Sequence, residues 1–288
     1  MLPTHCDEIK EGDNVIIGLG DSFTQGVGAY SVETWKSIPT QPFTYNISGT
    51  YFLEEQSQNN WVRQLANKLN YKTFNLGVNG SGNRGTIREM FLNKLPDKLG
   101  NVIVILLATG MERYDLIKQS DDTVGINWHQ KWQTIWPNPD SDRGAISALE
   151  KEYFKEVWSP RNDAIEFLFN INDAKNYCEN RGYKFLFSTV FDERISKENI
   201  KHDLEDKSHL IDLIDWNDFI SPKPYSSLMD MVYRSDGNKY KSMHDLFALG
   251  RTLSVPTKYI TPCAHWSIEG QSKVSEFLYE EIKKRNLV

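Results

Sequence analysis

Apolar residues follow two rhythms along this chain. The first is the short segment built around adjacent or alternating apolar residues, at 14–19, 72–78, 102–108 and 183–191. Such runs read as buried strands. Val102 to Ala108 is apolar throughout and predicts a central parallel strand covered on both faces. The second rhythm is recurrence at three and four residues. It predicts helices over 61–69, 86–95, 162–181 and 267–284, the third ended by Gly182 as a cap. Residues 1–13 read as a polar lead-in. Residues 192–250 read as polar helices and loops, with helices over 210–219 and 244–249.

Strands alternating with helices predict a parallel α/β sheet. Two stretches interrupt the alternation. Residues 29–60 carry Pro39, Pro42, Gly49 and many small polar residues, and read as irregular. Residues 110–160 are rich in Trp, Asp, Ser and Pro, and read as an insertion that is helical around 145–157. Long segments of this kind inside a compact domain form functional loops or rims. With no repeat, low-complexity tract or linker, the expected organisation is a single domain over 1–288 with insertions at about 29–60 and 110–160.

Composition narrows the function. Hydrophobic residues make up 39% of 288, enough for a sizeable core. A net charge of −6 argues against general affinity for nucleic acid or acidic membranes. The basic cluster Lys283-Lys284-Arg285 closes the last predicted helix, where it complements the dipole. Cys6, Cys178 and Cys263 are odd in number and widely separated, so neither a disulfide framework nor a zinc pattern is expected. No metal-binding motif is present, and no cofactor is expected. The first residues lack the basic and apolar regions of a signal peptide, and no run reaches the roughly 18 apolar residues of a membrane span. A cytoplasmic or virion-associated protein of a bacterium or bacteriophage is the expectation, with no membrane or nucleic-acid partner. Trp128, Trp132 and Trp136 fall at spacing four. Packing explains such a stripe, and stacking on sugar rings is the functional alternative.

The candidate chemistry begins after the first strand, at Gly18-Leu19-Gly20-Asp21-Ser22-Phe23-Thr24-Gln25-Gly26-Val27-Gly28. Glycines permit a tight turn that sets Ser22 just past the strand's carboxyl end, where open α/β sheets bind ligands. Phe23 stands where a dinucleotide fingerprint needs its third glycine, and no Gly-Lys-Ser/Thr follows to make a phosphate loop. Thr24 replaces the glycine of a nucleophile elbow. A second glycine-rich turn, Gly77 to Gly85, follows the second strand. Near the end stands Thr261-Pro262-Cys263-Ala264-His265-Trp266-Ser267-Ile268-Glu269-Gly270. It places a histidine in the loop before the last helix.

Taken in order, these blocks resemble the SGNH, or GDSL, hydrolase family. Gly20-Asp21-Ser22-Phe23 matches its first block. Asn75-Leu76-Gly77-Val78-Asn79-Gly80 matches its second, and His265 with Ser267 and Gly270 its last. The resemblance implies a three-layer α/β/α sandwich with a flavodoxin-like parallel sheet. It also implies a serine esterase: Ser22 as nucleophile, His265 as base, and the N–H groups of Ser22 and Gly80 in the oxyanion hole. Two departures mark a divergent member. Gly110 stands where the third block carries asparagine, so Asn83 or Asn79 would supply the missing amide, with Asn83 preferred. Pro262 stands where an aspartate precedes the histidine. The imidazole would then be oriented by a backbone carbonyl, or by Asp192, Asp115 or Glu269. Asp21, Arg113 and Trp266 are candidates for substrate contact. Many relatives deacetylate carbohydrates, which makes a small-molecule or carbohydrate ester the expected partner. The alternative is a catalytically weakened relative that binds a glycan or a protein.

Overall fold

The protein is described here by a computed structural model. It describes residues 6–37, 53–117, 132–135, 145–192, 194–235, 237, 253 and 256–288. Four parallel strands form the sheet: β1 (Val15–Leu19), β2 (Lys72–Asn75), β3 (Val102–Ala108) and, last in the chain, β6 (Lys184–Thr189). They lie in the order β2-β1-β3-β6. In register, Gly18 of β1 sits between Asn75 of β2 and Ile105 of β3. A fifth position is reduced to one parallel bridge, Phe187 with Phe219, secured by the Ile220 N–H donating to the Phe187 carbonyl at 2.7 Å. The result is the expected three-layer α/β/α fold.

The two faces follow from strand alternation. Ile17, Leu19, Val104 and Leu106 point to one side, against helix α5 (Asn83–Leu92) and helix α7 (Pro160–Asn180). Ile16, Ile103, Ile105 and Leu107 point to the other. There they meet α4 (Trp61–Leu69), α9 (Leu228–Arg234) and α10 (Ile268–Lys284). All seven residues of β3 are buried, as expected for a doubly covered parallel strand. The chain leaves β1 towards β2 on one side and leaves β3 towards β6 on the other. The crevice at the carboxyl ends of β1 and β3 is therefore the topological switch point.

Several elements differ from the sequence expectation. Helix α5 begins three residues earlier than 86, because Gly82 takes the extended cap conformation and Asn83 opens the first turn. The stretch 29–60 is not irregular where described: it forms α2 (Val32–Ser37) and α3 (Leu53–Asn59). Glu55 of α3 ties the two, accepting from the Thr34 hydroxyl at 2.8 Å and from the Ser31 N–H at 2.5 Å. The helix expected over 210–219 is instead two 3-10 segments, Glu205–Leu213 and Trp216–Asp218. The second insertion holds an antiparallel pair, β4 (Tyr114–Ile117) with β5 (Trp132–Ile135), and then α6 (Ala145–Glu156). The remaining short helices are α1 (Ser22–Gln25) and α8 (Lys197–Leu204). The helix expected over 244–249 lies outside the described residues, as do Trp128, Trp136 and the side chain of Trp132. Among the described residues no helix is long and apolar enough to cross a membrane.

Candidate active site

The first turn after β1 is built so that only glycine fits. Gly20 has φ +153, and a Cβ there would press on the Thr24 hydroxyl and lie 2.9 Å from the Leu107 carbonyl of β3. The Gly20 N–H donates to the Thr86 hydroxyl of α5 at 2.7 Å. Asp21 then caps α1, its Oδ1 accepting from the Phe23 N–H at 3.1 Å. Its Oδ2 receives the Arg113 guanidinium at 3.0 Å, and the carboxylate is fully buried. Ser22 opens the helical turn, so its own N–H has no intrahelical acceptor.

The histidine arrives on a tight loop. Ile260 bridges Trp266 antiparallel, and inside that bridge the Thr261 N–H donates to the His265 carbonyl at 2.9 Å. The loop tip is Pro262-Cys263-Ala264. Ala264 adopts φ +60, a left-handed conformation that costs a residue with a Cβ roughly 1–2 kcal/mol. Gly28 packs beneath: at φ +85, a Cβ there would stand 2.9 Å from the Cys263 sulfur and 3.3 Å from His265 Cβ. The last glycine of the nucleophile stretch thus seats the histidine loop.

These supports set His265 Nε2 2.8 Å from Ser22 Oγ. Nδ1 faces the Cys263 carbonyl at 2.8 Å and the Cys263 sulfur at 3.3 Å. A carbonyl only accepts, so Nδ1 carries the hydrogen and Nε2 is left to accept from the serine hydroxyl. The Phe23 ring lies against the imidazole, 4.7 Å between centroids. Burial pushes the His265 pKa down, but the Cys263 sulfur and the Asp21 carboxylate outweigh it, and the net shift is upward. Burial pushes the Cys263 thiol up, and His265 and Thr261 together reverse it, so the thiol ends below its usual range.

Gly80 and Asn83 follow the carboxyl end of β2, on the way into α5. The turn after β2 lies on α1: a Cβ at Gly77 would collide with the Gln25 N–H and come within 2.7 Å of the Thr24 carbonyl carbon. Gly80 closes that turn at φ +76 with open space beyond its Cα. Asn83 is 5% exposed and clasps the end of β3. Its Oδ1 accepts from the Thr109 N–H at 2.9 Å, and its Nδ2 donates to the Thr109 carbonyl at 3.2 Å. One amide hydrogen is thus used and a second remains. Asn79, the other candidate amide, is exposed.

Against known proteins, no family model matches the chain, and no curated protein does. Solved structures of α/β fold do. A protein described as a lipolytic member of the G-D-S-L family, from Desulfitobacterium hafniense DCB-2, is 12% identical at a TM-score of 0.42, covering 93% of this chain and 98% of its own. A carbohydrate esterase, whose active site is described as displaying divergent catalytic and non-catalytic binding functions, is 12% identical at a TM-score of 0.46. That match covers 96% of this chain and 69% of the esterase. An acetyl xylan esterase is 13% identical at 0.42, covering 93% of this chain and 99% of its own.

Ser22, His265, Gly80 and Asn83 are thus held at the same sheet end. Of the three expected acids, Asp192 and Glu269 are engaged elsewhere. Asp192 accepts from the Met111 N–H at 3.0 Å and pairs with Arg194 at 3.0 Å, so its carboxylate is committed elsewhere. Glu269 is exposed on the first turn of α10, near the Ser267 hydroxyl. The Asp115 side chain lies outside the described residues. The substrate-contact candidates need correction too. Trp266 is fully buried and packs edge-on against Phe23, at 4.9 Å between centroids, which leaves it no surface to offer a ligand. Asp21 is sealed under the turn. Arg113 pairs with Asp21 and lies over the Phe191 ring at 5.2 Å. Sequence reasoning passed over Cys263 because its position two residues before the histidine matches no recognised pattern. Among the described residues, no group of three or more His, Cys, Asp or Glu is arranged to hold a metal ion.

Proposed function

We propose that the protein is a serine ester hydrolase working through Ser22 and His265. The observation that carries this reading is the 2.8 Å contact of His265 Nε2 with Ser22 Oγ, in a tautomer fixed by the Cys263 carbonyl. A base that can take the hydroxyl proton and a nucleophile at hydrogen-bond distance are what acyl transfer through serine requires. Ser22 Oγ bonds to the acyl carbon while its proton passes to Nε2. The N–H groups of Ser22 and Gly80, with the spare hydrogen of the Asn83 amide, take up the oxyanion. The alcohol leaves with the proton from Nε2. A water then attacks the acyl-serine, again losing its proton to Nε2, and the acid departs as Ser22 recovers its hydrogen.

A carbohydrate O-acetyl ester is the substrate class to try first, since the sequence over 110–160 carries Trp128, Trp132 and Trp136, residues suited to stacking on sugar rings. The experiment is hydrolysis of p-nitrophenyl acetate and of an acetylated sugar by wild type and Ser22→Ala. Turnover that drops by about 10⁴ or more in the variant is expected. Equal rates in both, or none above background, would replace the enzyme with the glycan- or protein-binding reading.

A further inference from the structure

We propose that the Cys263 sulfur fills the place a carboxylate takes in a serine triad: it orients the His265 ring and balances the charge that ring acquires. The inference deepens the esterase reading and rests on it. Nδ1 meets two acceptors on one residue, the Cys263 carbonyl at 2.8 Å and the sulfur at 3.3 Å. A carbonyl fixes the tautomer but carries no net charge. The sulfur can carry one, and among the described residues it is the ionisable atom in contact with Nδ1.

The loop is shaped to keep it there. Left-handed Ala264 folds the chain back so that the side chains of residues 263 and 265 share one side of the tip. Gly28 presses on the sulfur from below. The Thr261 hydroxyl lies 3.1 Å from the sulfur and 3.0 Å from the His265 carbonyl. It can donate to the carbonyl while the thiol is protonated, and to the sulfur once the thiol ionises. Either state is therefore satisfied without movement of the loop. Among the described residues, the titratable and charged groups that act on the pair come from two further elements. Tyr30 interacts electrostatically with the sulfur from the chain before α2, with Glu55 behind it. Asp21 acts on the imidazole from the nucleophile turn, and Arg113 neutralises it.

The proton balance is simple. The thiol loses its hydrogen to bulk water in an equilibrium that precedes turnover. During attack, Nε2 takes the Ser22 proton, Nδ1 keeps its own, and the thiolate faces the imidazolium that results. No proton crosses between sulfur and Nδ1 in the reactive step. The ring is consequently a stronger base, and it stays protonated to a higher pH, than it would be without the sulfur.

The test compares Cys263→Ala, Cys263→Ser and Cys263→Asp with wild type in two ways. The first is the pH profile of p-nitrophenyl acetate turnover. The second is the protonation midpoint of His265, followed by NMR of isotopically labelled histidine. In Cys263→Ala and Cys263→Ser the rising limb and the midpoint are expected to move to lower pH, and the alkaline plateau to fall about tenfold. That is far short of the roughly 10⁴ for losing an orienting acid, because the carbonyl bond survives. Cys263→Asp is expected to keep the high midpoint and restore the plateau. A midpoint unchanged in Cys263→Ala overturns the proposal whatever the activity. So does an active enzyme whose profile ignores the substitution. Absence of Ser22-dependent turnover in wild type is a separate failure, that of the esterase reading, and is told apart by the Ser22→Ala control.

Discussion

The serine and the histidine are useful only because less obvious neighbours hold them. Asp21 spends both carboxylate oxygens on structure, one on the Phe23 N–H and one on Arg113. The Arg113 guanidinium lies over Phe191, and Phe191 contacts Phe23 at 6.1 Å between centroids. Phe23 lies on the imidazole, so a line of packed groups runs from the ion pair to the base. Removing one partner of a buried pair leaves a bare charge, which costs roughly 3–5 kcal/mol. Arg113→Met should lower stability to urea by that order. Adding Asp21→Asn to it should recover part of the loss. A single variant as stable as wild type would mean that water reaches the Asp21 carboxylate. The raised His265 pKa has its own signature. The base must be neutral to act, so turnover should fall as pH drops through a midpoint above the ordinary histidine range. A rate that held level well below that range would contradict the assignment of His265.

The elements show which patterns survive folding and which do not. Strong periodicity was read correctly: 61–69 is α4 and 102–108 is β3, because a wide apolar stripe or run has one way to be buried. Helix α10 ends near the residue expected, and Ser267 caps it by accepting from the Gly270 N–H at 3.2 Å. Helices α2 and α3 were missed because little of their surface is apolar. They are held by Trp35, whose indole donates to the Gly28 carbonyl at 3.3 Å, and by the polar clasp of Glu55. The turn after β2 rests directly on α1, and the contact tolerates no side chain at Gly77. Gly77→Ala should push that turn, and Gly80 with it, away from Ser22. We expect a fall in turnover of about 10²-fold, as for the loss of one oxyanion donor, with a smaller effect on substrate affinity. Steady-state kinetics separate the two, and wild-type kcat would show that Gly80 does not serve the oxyanion.

Ser22 and His265 meet at the site although 243 residues separate them. What fixes their separation is the packing of α4 and α10 over one face of the sheet. Gln271 of α10 is fully buried, accepts from the Trp61 N–H at 2.9 Å and donates to the Phe23 carbonyl at 3.1 Å. One amide thus joins the final helix, α4 and the nucleophile turn. Gln271→Leu would strand both groups in an apolar setting, at about 1–3 kcal/mol each. Thermal unfolding should register the loss, and turnover should fall beyond it as the Ser22–His265 distance loosens. Full activity in a destabilised variant would show that the sheet alone keeps the distance.

The sequence by itself determined the order of the four sheet strands and of the long helices α4, α5, α7 and α10, the parallel α/β class, and the serine and histidine that face each other. The elements rest on local patterns, apolar runs and helical periodicity, and the serine and histidine on the resemblance of their blocks to a known motif order. Only the tertiary structure decided what stands at Nδ1 of the histidine, since a backbone carbonyl leaves no mark in residue type and the approach of the Cys263 sulfur depends on how the loop turns. It also decided that Trp266 is core, that Arg113 serves Asp21, and that Asp192 belongs to Arg194. Side-chain partnership depends on which elements the fold lays together, and sequence spacing carries no record of that.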